Sequence, residues 1–93
     1  MKTIWKFVLS PQGLQTIEMP AGAKLLYVRE QNNDICIWAE VDRYSWKEDR
    51  TFEVFGTGHE RYDADSVEAE RTYLGSAHLQ GGALVLHVYE RKS

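Results

Sequence analysis

Cysteine, proline and clustered positive charge are all scarce in this sequence. The single cysteine, Cys36, cannot form an internal disulfide, which is typical of a protein that works in a reducing compartment. The net charge is −3 and the basic residues form no run. We therefore expect no long nucleic acid as a partner, because phosphate backbones are bound by clustered Lys and Arg. Binding of a small nucleotide needs only one or two arginines and some backbone N–H groups, so the composition does not exclude a small nucleotide as a ligand.

Long apolar segments are also missing. No apolar run approaches the roughly 20 residues that a transmembrane helix requires. The first residues, Met-Lys-Thr-Ile-Trp-Lys, lack the apolar stretch of a secretory signal peptide. We therefore expect a cytoplasmic protein with no membrane partner. Its 93 residues are near the lower end of common domain sizes, which predicts a single domain over 1–93.

The sequence is rich in short alternations of apolar and polar residues, separated by turn residues. This pattern predicts about seven short strands, at 4–9, 15–19, 24–31, 35–41, 51–55, 72–79 and 83–90. The acidic connection at 60–71 lacks an amphipathic stripe and is typical of an exposed segment, with room for one short helical turn near 65–70. The predicted fold class is all-β, a small barrel or sandwich of mostly antiparallel strands.

The clearest predicted hairpin turns at Asn32 and Asn33, because Asn tolerates the left-handed backbone of tight hairpin turns. This register places Tyr27 opposite Trp38 and Arg29 opposite Cys36. One face of the hairpin is then the predicted core face, formed by Leu26, Val28, Ile35, Ile37 and Ala39. The other face is aromatic and charged, formed by Tyr27, Arg29, Trp38 and Glu40.

Two other segments carry expectations about packing. The last strand, 83–90, is apolar on both faces, which is typical of a central strand or of a face covered by another subunit. Tyr44 and Trp46 lie in a polar, irregular segment at 42–50. Paired aromatics in such a loop usually fold back to cap a core, and less often form a lid or a contact point.

The best candidate site is the stretch 51–59, Thr-Phe-Glu-Val-Phe-Gly-Thr-Gly-His, in which a strand runs into a glycine-rich loop. Gly56 and Gly58 would let backbone N–H groups approach an anion, and Thr57 and His59 would complete a cradle. The loop has neither the P-loop pattern nor the dinucleotide fingerprint. The alternative is that both glycines serve a tight turn and His59 is solvated.

Tyr27, Arg29, Trp38 and Trp46 form the second group of candidate ligand-binding residues. Exposed rings beside a guanidinium can stack a base or hold a partner side chain. Ordinary cross-strand packing, with Trp46 capping the sheet, explains the same residues equally well.

Metal and covalent chemistry have little support. If Gly81-Gly82 is the loop of the last hairpin, Ser76 faces His87 and Val85 faces His78, which makes the two imidazoles diagonal neighbours. Zinc needs a third and usually a fourth ligand, which this pair lacks. The lone cysteine lies within a strand, and no triad order or seryl elbow occurs. We expect no metal, no cofactor and no catalytic site.

Stretches spread over most of the chain point to a family. They are Met-Lys-Thr-Ile-Trp-Lys-Phe at 1–7, Ile-Glu-Met-Pro at 17–20, Gly-Ala-Lys at 22–24, Trp38, Gly-Thr-Gly-His at 56–59, Tyr-Leu-Gly at 73–75 and Leu-His-Val-Tyr-Glu at 86–90. In these stretches the sequence resembles a family of small phage- and prophage-encoded all-β domains of uncharacterised function. The resemblance implies the fold but assigns no activity to named residues.

The phage setting that the resemblance implies suggests a role against host defence. Our first hypothesis is a non-enzymatic, homo-oligomeric sponge that sequesters a nucleotide-derived immune signal, such as a cyclic nucleotide. Residues 56–59 would hold phosphate or ribose, and Tyr27, Trp38 or Trp46 would stack the base, in a pocket at a subunit interface. The alternatives are a protein-binding inhibitor of a host factor and a virion accessory protein.

Overall fold

The computed structural model of the protein describes residues 1–11, 13–58 and 71–91. These residues form seven antiparallel strands, so the fold is all-β, as the sequence predicts. The strands are β1 (Lys2–Leu9), β2 (Gly13–Pro20), β3 (Lys24–Gln31), β4 (Asp34–Asp42), β5 (Lys47–Gly56), β6 (Arg71–Leu79) and β7 (Leu84–Arg91), with one 3-10 turn at Gln80–Gly82. None of the described residues belongs to a helix that is long and apolar enough to cross a membrane.

Two sheets pack face to face around one core. The three-stranded sheet has the order β1-β4-β3, and the four-stranded sheet has the order β2-β5-β7-β6. Both contribute fully buried side chains, among them Ile35 and Ile37 from β4 and Phe52 and Val54 from β5. Of the barrel and sandwich that the sequence leaves open, the structure is therefore the sandwich.

The β3–β4 hairpin has the predicted turn and register. Asn32 and Asn33 both have positive φ, 53° and 65°, which is the backbone of a two-residue hairpin turn. Tyr27 pairs with Trp38 and Arg29 pairs with Cys36, as expected.

The predicted core face of this hairpin is wrong at one residue, Leu26. A β-bulge shifts the register between Leu25 and Tyr27, and the extra residue reverses the alternation at that point. Leu25 therefore packs against the core, and Leu26 is 43% exposed.

The expectation that Tyr44 and Trp46 cap a core is also wrong, because they are 73% and 71% exposed. β4 reaches Asp42 and β5 begins at Lys47, so only four residues connect the two strands. The backbone N–H of Ser45 donates to the carbonyl of Asp42 at 2.9 Å, and that of Tyr44 donates to the Asp42 carboxylate at 3.1 Å. So tight a turn leaves no chain length for either ring to reach the interior.

β7 lies between β5 and β6, which confirms the central position predicted from its two apolar faces. The helical turn expected near 65–70 falls outside the described residues.

Candidate functional site

The glycine-rich segment lies at the end of β5. Gly56 is its last residue and is buried, while Thr57 and Gly58 form the turn that follows. The backbone N–H of Thr57 donates to the carbonyl of Val85 at 3.2 Å, which ties the turn to β7. Gly58 has φ +83° with nothing within 4 Å of an added Cβ, so backbone conformation alone favours glycine there. His59 lies outside the described residues.

The second candidate group lies on the outer face of the three-stranded sheet. Tyr27 and Trp38 stack on each other, with ring centroids 5.1 Å apart and planes 17° apart. Each ring therefore covers part of the other, as in an ordinary cross-strand pair. Arg29 is exposed beside them. Trp46 stands apart in the β4–β5 turn and, within the described part of the chain, makes no ring contact with this pair.

The two groups of candidates belong to different sheets. Thr57 follows a strand of the four-stranded sheet, and the Tyr27–Trp38 pair lies on the three-stranded sheet. The two sheets approach each other along β3 and β6, where an added Cβ at Gly75 would lie 3.3 Å from Val28 Cβ. The combination of phosphate and base contacts in a pocket at a subunit interface stays a prediction.

A chain of hydrogen bonds connects Thr57 to residues outside the predicted ligand-binding set. The Thr57 Oγ1 atom lies 2.6 Å from His87 Nε2, and His87 Nδ1 lies 2.8 Å from Ser76 Oγ. Ser76 Oγ lies in turn 2.6 Å from the hydroxyl of Tyr73. We call these four residues, Thr57, His87, Ser76 and Tyr73, the Thr57 relay.

Strand register explains how β6 and β7 bring the relay together. Ser76 pairs with His87 across the two strands, which confirms the register predicted for this hairpin. Tyr73 is three residues from Ser76, so a regular strand would place the two side chains on opposite faces. A β-bulge between Tyr73 and Gly75 adds one residue and returns both to the outer face. The sequence pattern alone, read as a regular strand, therefore does not predict that Tyr73 contacts Ser76.

An aromatic cluster of Phe55, Tyr89 and Tyr73 lies beside the relay. Phe55 stacks on Tyr89 with centroids 5.3 Å apart and planes 7° apart, and Tyr73 contacts Tyr89 at 5.3 Å and 59°. Phe55 also lies 6.3 Å from the ring of His87. Tyr73 belongs to both the cluster and the relay and is 55% exposed. This face of the four-stranded sheet therefore combines ring surfaces with polar hydrogen-bonding atoms.

A buried ion pair accompanies them on the same sheet. Arg71 Nε donates to Glu53 Oε1 at 2.5 Å, and the two side chains are 11% and 4% exposed. Burial of a charge is tolerated only when it is paired in this way. We assign the pair to the stability of β5 and β6 rather than to ligand contact.

The structure offers no geometry for metal binding in the described ranges. His78 and His87 have the predicted diagonal register, with Val85 opposite His78. Both ring nitrogens of His87 are taken by hydroxyl groups. Among the residues that the structure describes, no three His, Cys, Asp or Glu side chains gather in one place.

The thiol of Cys36 is unsuited to nucleophilic chemistry. The residue is 1% exposed, and burial raises the pKa of its thiol, with a partly opposing effect from Lys6. A raised pKa leaves little thiolate, which is the reactive species.

A charged cleft of about 440 Å³ opens beside the first residues of β5 and the last of β7, and its lining includes Arg50 and Glu90. The Arg50 guanidinium donates to both carboxylate oxygens of Glu90, at 2.6 and 2.9 Å, and to the carbonyl of Ala23 at 2.5 Å. These hydrogen bonds with Glu90 raise the pKa of Arg50. Three of the five N–H donors of Arg50 are thus used inside the protein, so we favour the relay over the cleft as the candidate site.

Comparison with known proteins gives one match. The family model described as Domain of unknown function (DUF7352) matches residues 1–93. Searches of curated proteins and of solved structures returned no significant match. The match agrees with the resemblance to a family of uncharacterised function that the sequence motifs carry. The chain belongs to the Domain of unknown function (DUF7352) family.

Proposed function

We propose that this domain binds a small nucleotide-derived ligand, without transforming it, on the outer face of the four-stranded sheet. The observation that carries the proposal is the position of Tyr73. Its hydroxyl belongs to the Thr57 relay and its half-exposed ring belongs to the aromatic cluster. A ligand that combines a planar ring with a phosphate or sugar would find both kinds of contact there.

Each part of such a ligand has a matching feature. Stacking of a base on an aromatic ring is worth about 1–3 kcal/mol, and Tyr73 supplies an exposed ring. Thr57 and Gly58 are exposed residues connected to Tyr73 through His87 and Ser76, and a threonine hydroxyl and a glycine turn suit a phosphate or ribose oxygen. Among the described residues, His87 Nδ1 contacts the Ser76 hydroxyl rather than the carboxylate that an acyl-transfer triad would place there. This favours retention of the ligand over turnover.

The biological role that we propose is sequestration. A homo-oligomer that retains a nucleotide immune signal would lower the free concentration of that signal in an infected cell, as a phage-encoded sponge would. The phage setting, the cytoplasmic location and the oligomer belong to the proposal. They are supported by the resemblance in the sequence motifs and by the binding features of this face.

Native mass spectrometry against a panel of nucleotides and cyclic nucleotides tests this function. We expect a retained nucleotide mass in the wild type and in Trp38→Ala, whose substitution lies on the three-stranded sheet. Thr57→Val keeps the shape of the side chain but removes the hydroxyl, so it should lose the adduct. No adduct with any nucleotide, or an adduct that Trp38→Ala abolishes and Thr57→Val leaves intact, would refute the proposal.

A second candidate function, binding to a host protein, is favoured by the outer face of the three-stranded sheet. Large apolar side chains there are well exposed, including Ile4 at 57%, Val8 at 51% and Tyr27 at 51%. Such patches are common at protein interfaces. Pull-down of one host protein, lost in Trp38→Glu and retained in Thr57→Val, would favour this candidate over the nucleotide ligand.

A further inference from the structure

The hydrogen bonds of the Thr57 relay can run in two directions, with different chemical consequences. If Thr57 donates to His87 Nε2, the imidazole acts as a base and the threonine oxygen becomes a nucleophile. If His87 Nε2–H donates to Thr57, the hydroxyl hydrogen of Thr57 is left for a ligand. A neutral imidazole has one donor and one acceptor nitrogen, so its tautomer decides between them.

Tyr73, at the far end of the relay, can set the direction. Either oxygen of the 2.6 Å contact between Tyr73 and Ser76 can be the donor, and we take the more acidic phenol of Tyr73 as the donor. With Ser76 as the acceptor from Tyr73, its single hydrogen is available to His87 Nδ1, which lies 2.8 Å away. A neutral ring that accepts at Nδ1 carries its hydrogen on Nε2, and that hydrogen points at Thr57 Oγ1.

We propose that Tyr73 and Ser76 are positioning residues that hold His87 in the Nε2–H tautomer, so that Thr57 presents its hydroxyl hydrogen to an anionic oxygen of the ligand. All the hydrogen-bond donors of the Thr57 relay then point in the same direction, and each hydrogen bond polarises the next. The final donor suits an acceptor with full negative charge, such as a phosphate oxygen.

This inference rests on the proposed function for its ligand and narrows it to the phosphate-bearing class. Within the described part of the chain, the Thr57 hydroxyl has His87 as its one side-chain partner. When His87 Nε2–H is the donor, no side-chain acceptor for the Thr57 hydrogen is present among these described residues. With its hydrogen on Nε2, His87 cannot accept the proton of the Thr57 hydroxyl, so it does not activate Thr57 as a nucleophile. The relay is thus built for holding an oxyanion rather than for attacking a carbonyl.

The direct test is nitrogen-15 NMR of the imidazole of His87 in the ligand-free protein, which distinguishes the two tautomers. We expect the Nε2–H tautomer in the wild type. Tyr73→Phe keeps the ring but removes the phenol hydrogen, so we expect a mixture of tautomers, and Ser76→Ala should give the same result. Predominance of the Nδ1–H tautomer in the wild type, or no change in either variant, would overturn the inference.

Titration with two probes, adenosine 5′-monophosphate and adenosine, tests the ligand class. Thr57→Val should lower the affinity for adenosine 5′-monophosphate by about 10- to 100-fold, as expected for a hydrogen bond to a charged group. Tyr73→Phe should lower the same affinity by about 2- to 10-fold. Neither variant should change the affinity for adenosine, whereas Thr57→Ser should bind both like the wild type. Equal losses for the two probes would contradict a phosphate contact.

The proposed function and the relay direction can fail independently. If native mass spectrometry finds no adduct with any nucleotide but the wild type has the Nε2–H tautomer, the relay direction stands and the proposed function falls. If a nucleotide is retained but the Nδ1–H tautomer predominates, the function stands and the relay direction falls.

Discussion

His87 has both ring nitrogens occupied by uncharged hydroxyl groups, and this satisfies a half-buried imidazole without an ion pair. The sequence predicts Thr57 as a candidate and the pairing of Ser76 with His87. It does not reveal the contact between Thr57 and His87, because Thr57 follows β5, His87 belongs to β7, and the two meet only through the β5–β7 pairing. The hydrogen-bond partners of a side chain depend on such long-range placement.

Cys36 should be protected from thiol reagents as long as the fold is intact. Its burial raises the thiol pKa, so the folded state favours the neutral thiol. The corresponding stability is fully present below the unfolded pKa of about 9 and is lost as the pH rises through the higher folded pKa. We expect labelling by a disulfide reagent to proceed at the unfolding rate and stability to decrease above pH 9. Fast labelling of the native protein at neutral pH would be inconsistent with this burial.

The Arg50–Glu90 pair should contribute measurably to stability. Glu90→Gln removes the hydrogen-bonded counter-charge of the guanidinium and leaves only the weaker effect of Glu48, at a site where the Arg50 and Glu90 side chains are about one-fifth exposed. We expect a loss of roughly 1–3 kcal/mol in the free energy of unfolding, measured by urea denaturation. Glu18→Gln, at an exposed position on β2, is the matched control and should change stability by less than about 0.5 kcal/mol. Equal effects of the two substitutions would mean that the pair is not stabilising.

At the scale of strands and turns, the sequence predicts the fold well because alternation and turn residues are local signals. The two β-bulges are where it fails. At Leu25 and Leu26 the chain offers two leucines in succession, and only packing against the other sheet selects which one is buried. In β6, Gly75 lies so close to the facing sheet that an added Cβ would be 3.3 Å from Val28 Cβ. Both bulges depend on contacts with the facing sheet, so the sequence of one strand alone does not predict them.

The β3–β4 turn gives a test at this scale. Asn32 and Asn33 both adopt positive φ, so glycine should relieve backbone strain at either position. Asn33 also accepts a hydrogen bond from the backbone N–H of Gln80 at 2.9 Å, which joins this turn to the one before β7. We expect Asn32→Gly to raise the free energy of unfolding, measured by thermal denaturation, by no more than about 1 kcal/mol, because relief of the left-handed backbone is partly offset by the greater unfolded-state entropy of glycine. Asn33→Gly should raise the free energy of unfolding less, or lower it, because the hydrogen bond from Gln80 is lost. A larger gain from Asn33→Gly than from Asn32→Gly would show that this hydrogen bond contributes nothing to stability.

At the scale of the whole molecule, the sandwich presents two outer faces with different chemistry. The four-stranded face has the Thr57 relay and the aromatic cluster, and the three-stranded face has the Tyr27–Trp38 stack and exposed aliphatic side chains. Sequence motifs suggested Thr57 and the Tyr27–Trp38 pair, but not the sheets on which they lie. That assignment depends on β1 pairing with β4 and β2 with β5, which are contacts between distant segments.

The most direct test of our account is two-dimensional NMR of the labelled protein during titration with the nucleotide that native mass spectrometry selects. The account predicts saturable shifts at Thr57, Gly58, Ser76 and His87, with Tyr27, Arg29 and Trp38 unchanged. Shifts confined to Tyr27 and Trp38, or none at any nucleotide concentration up to the millimolar range, would contradict the central claim that the four-stranded face is the binding site.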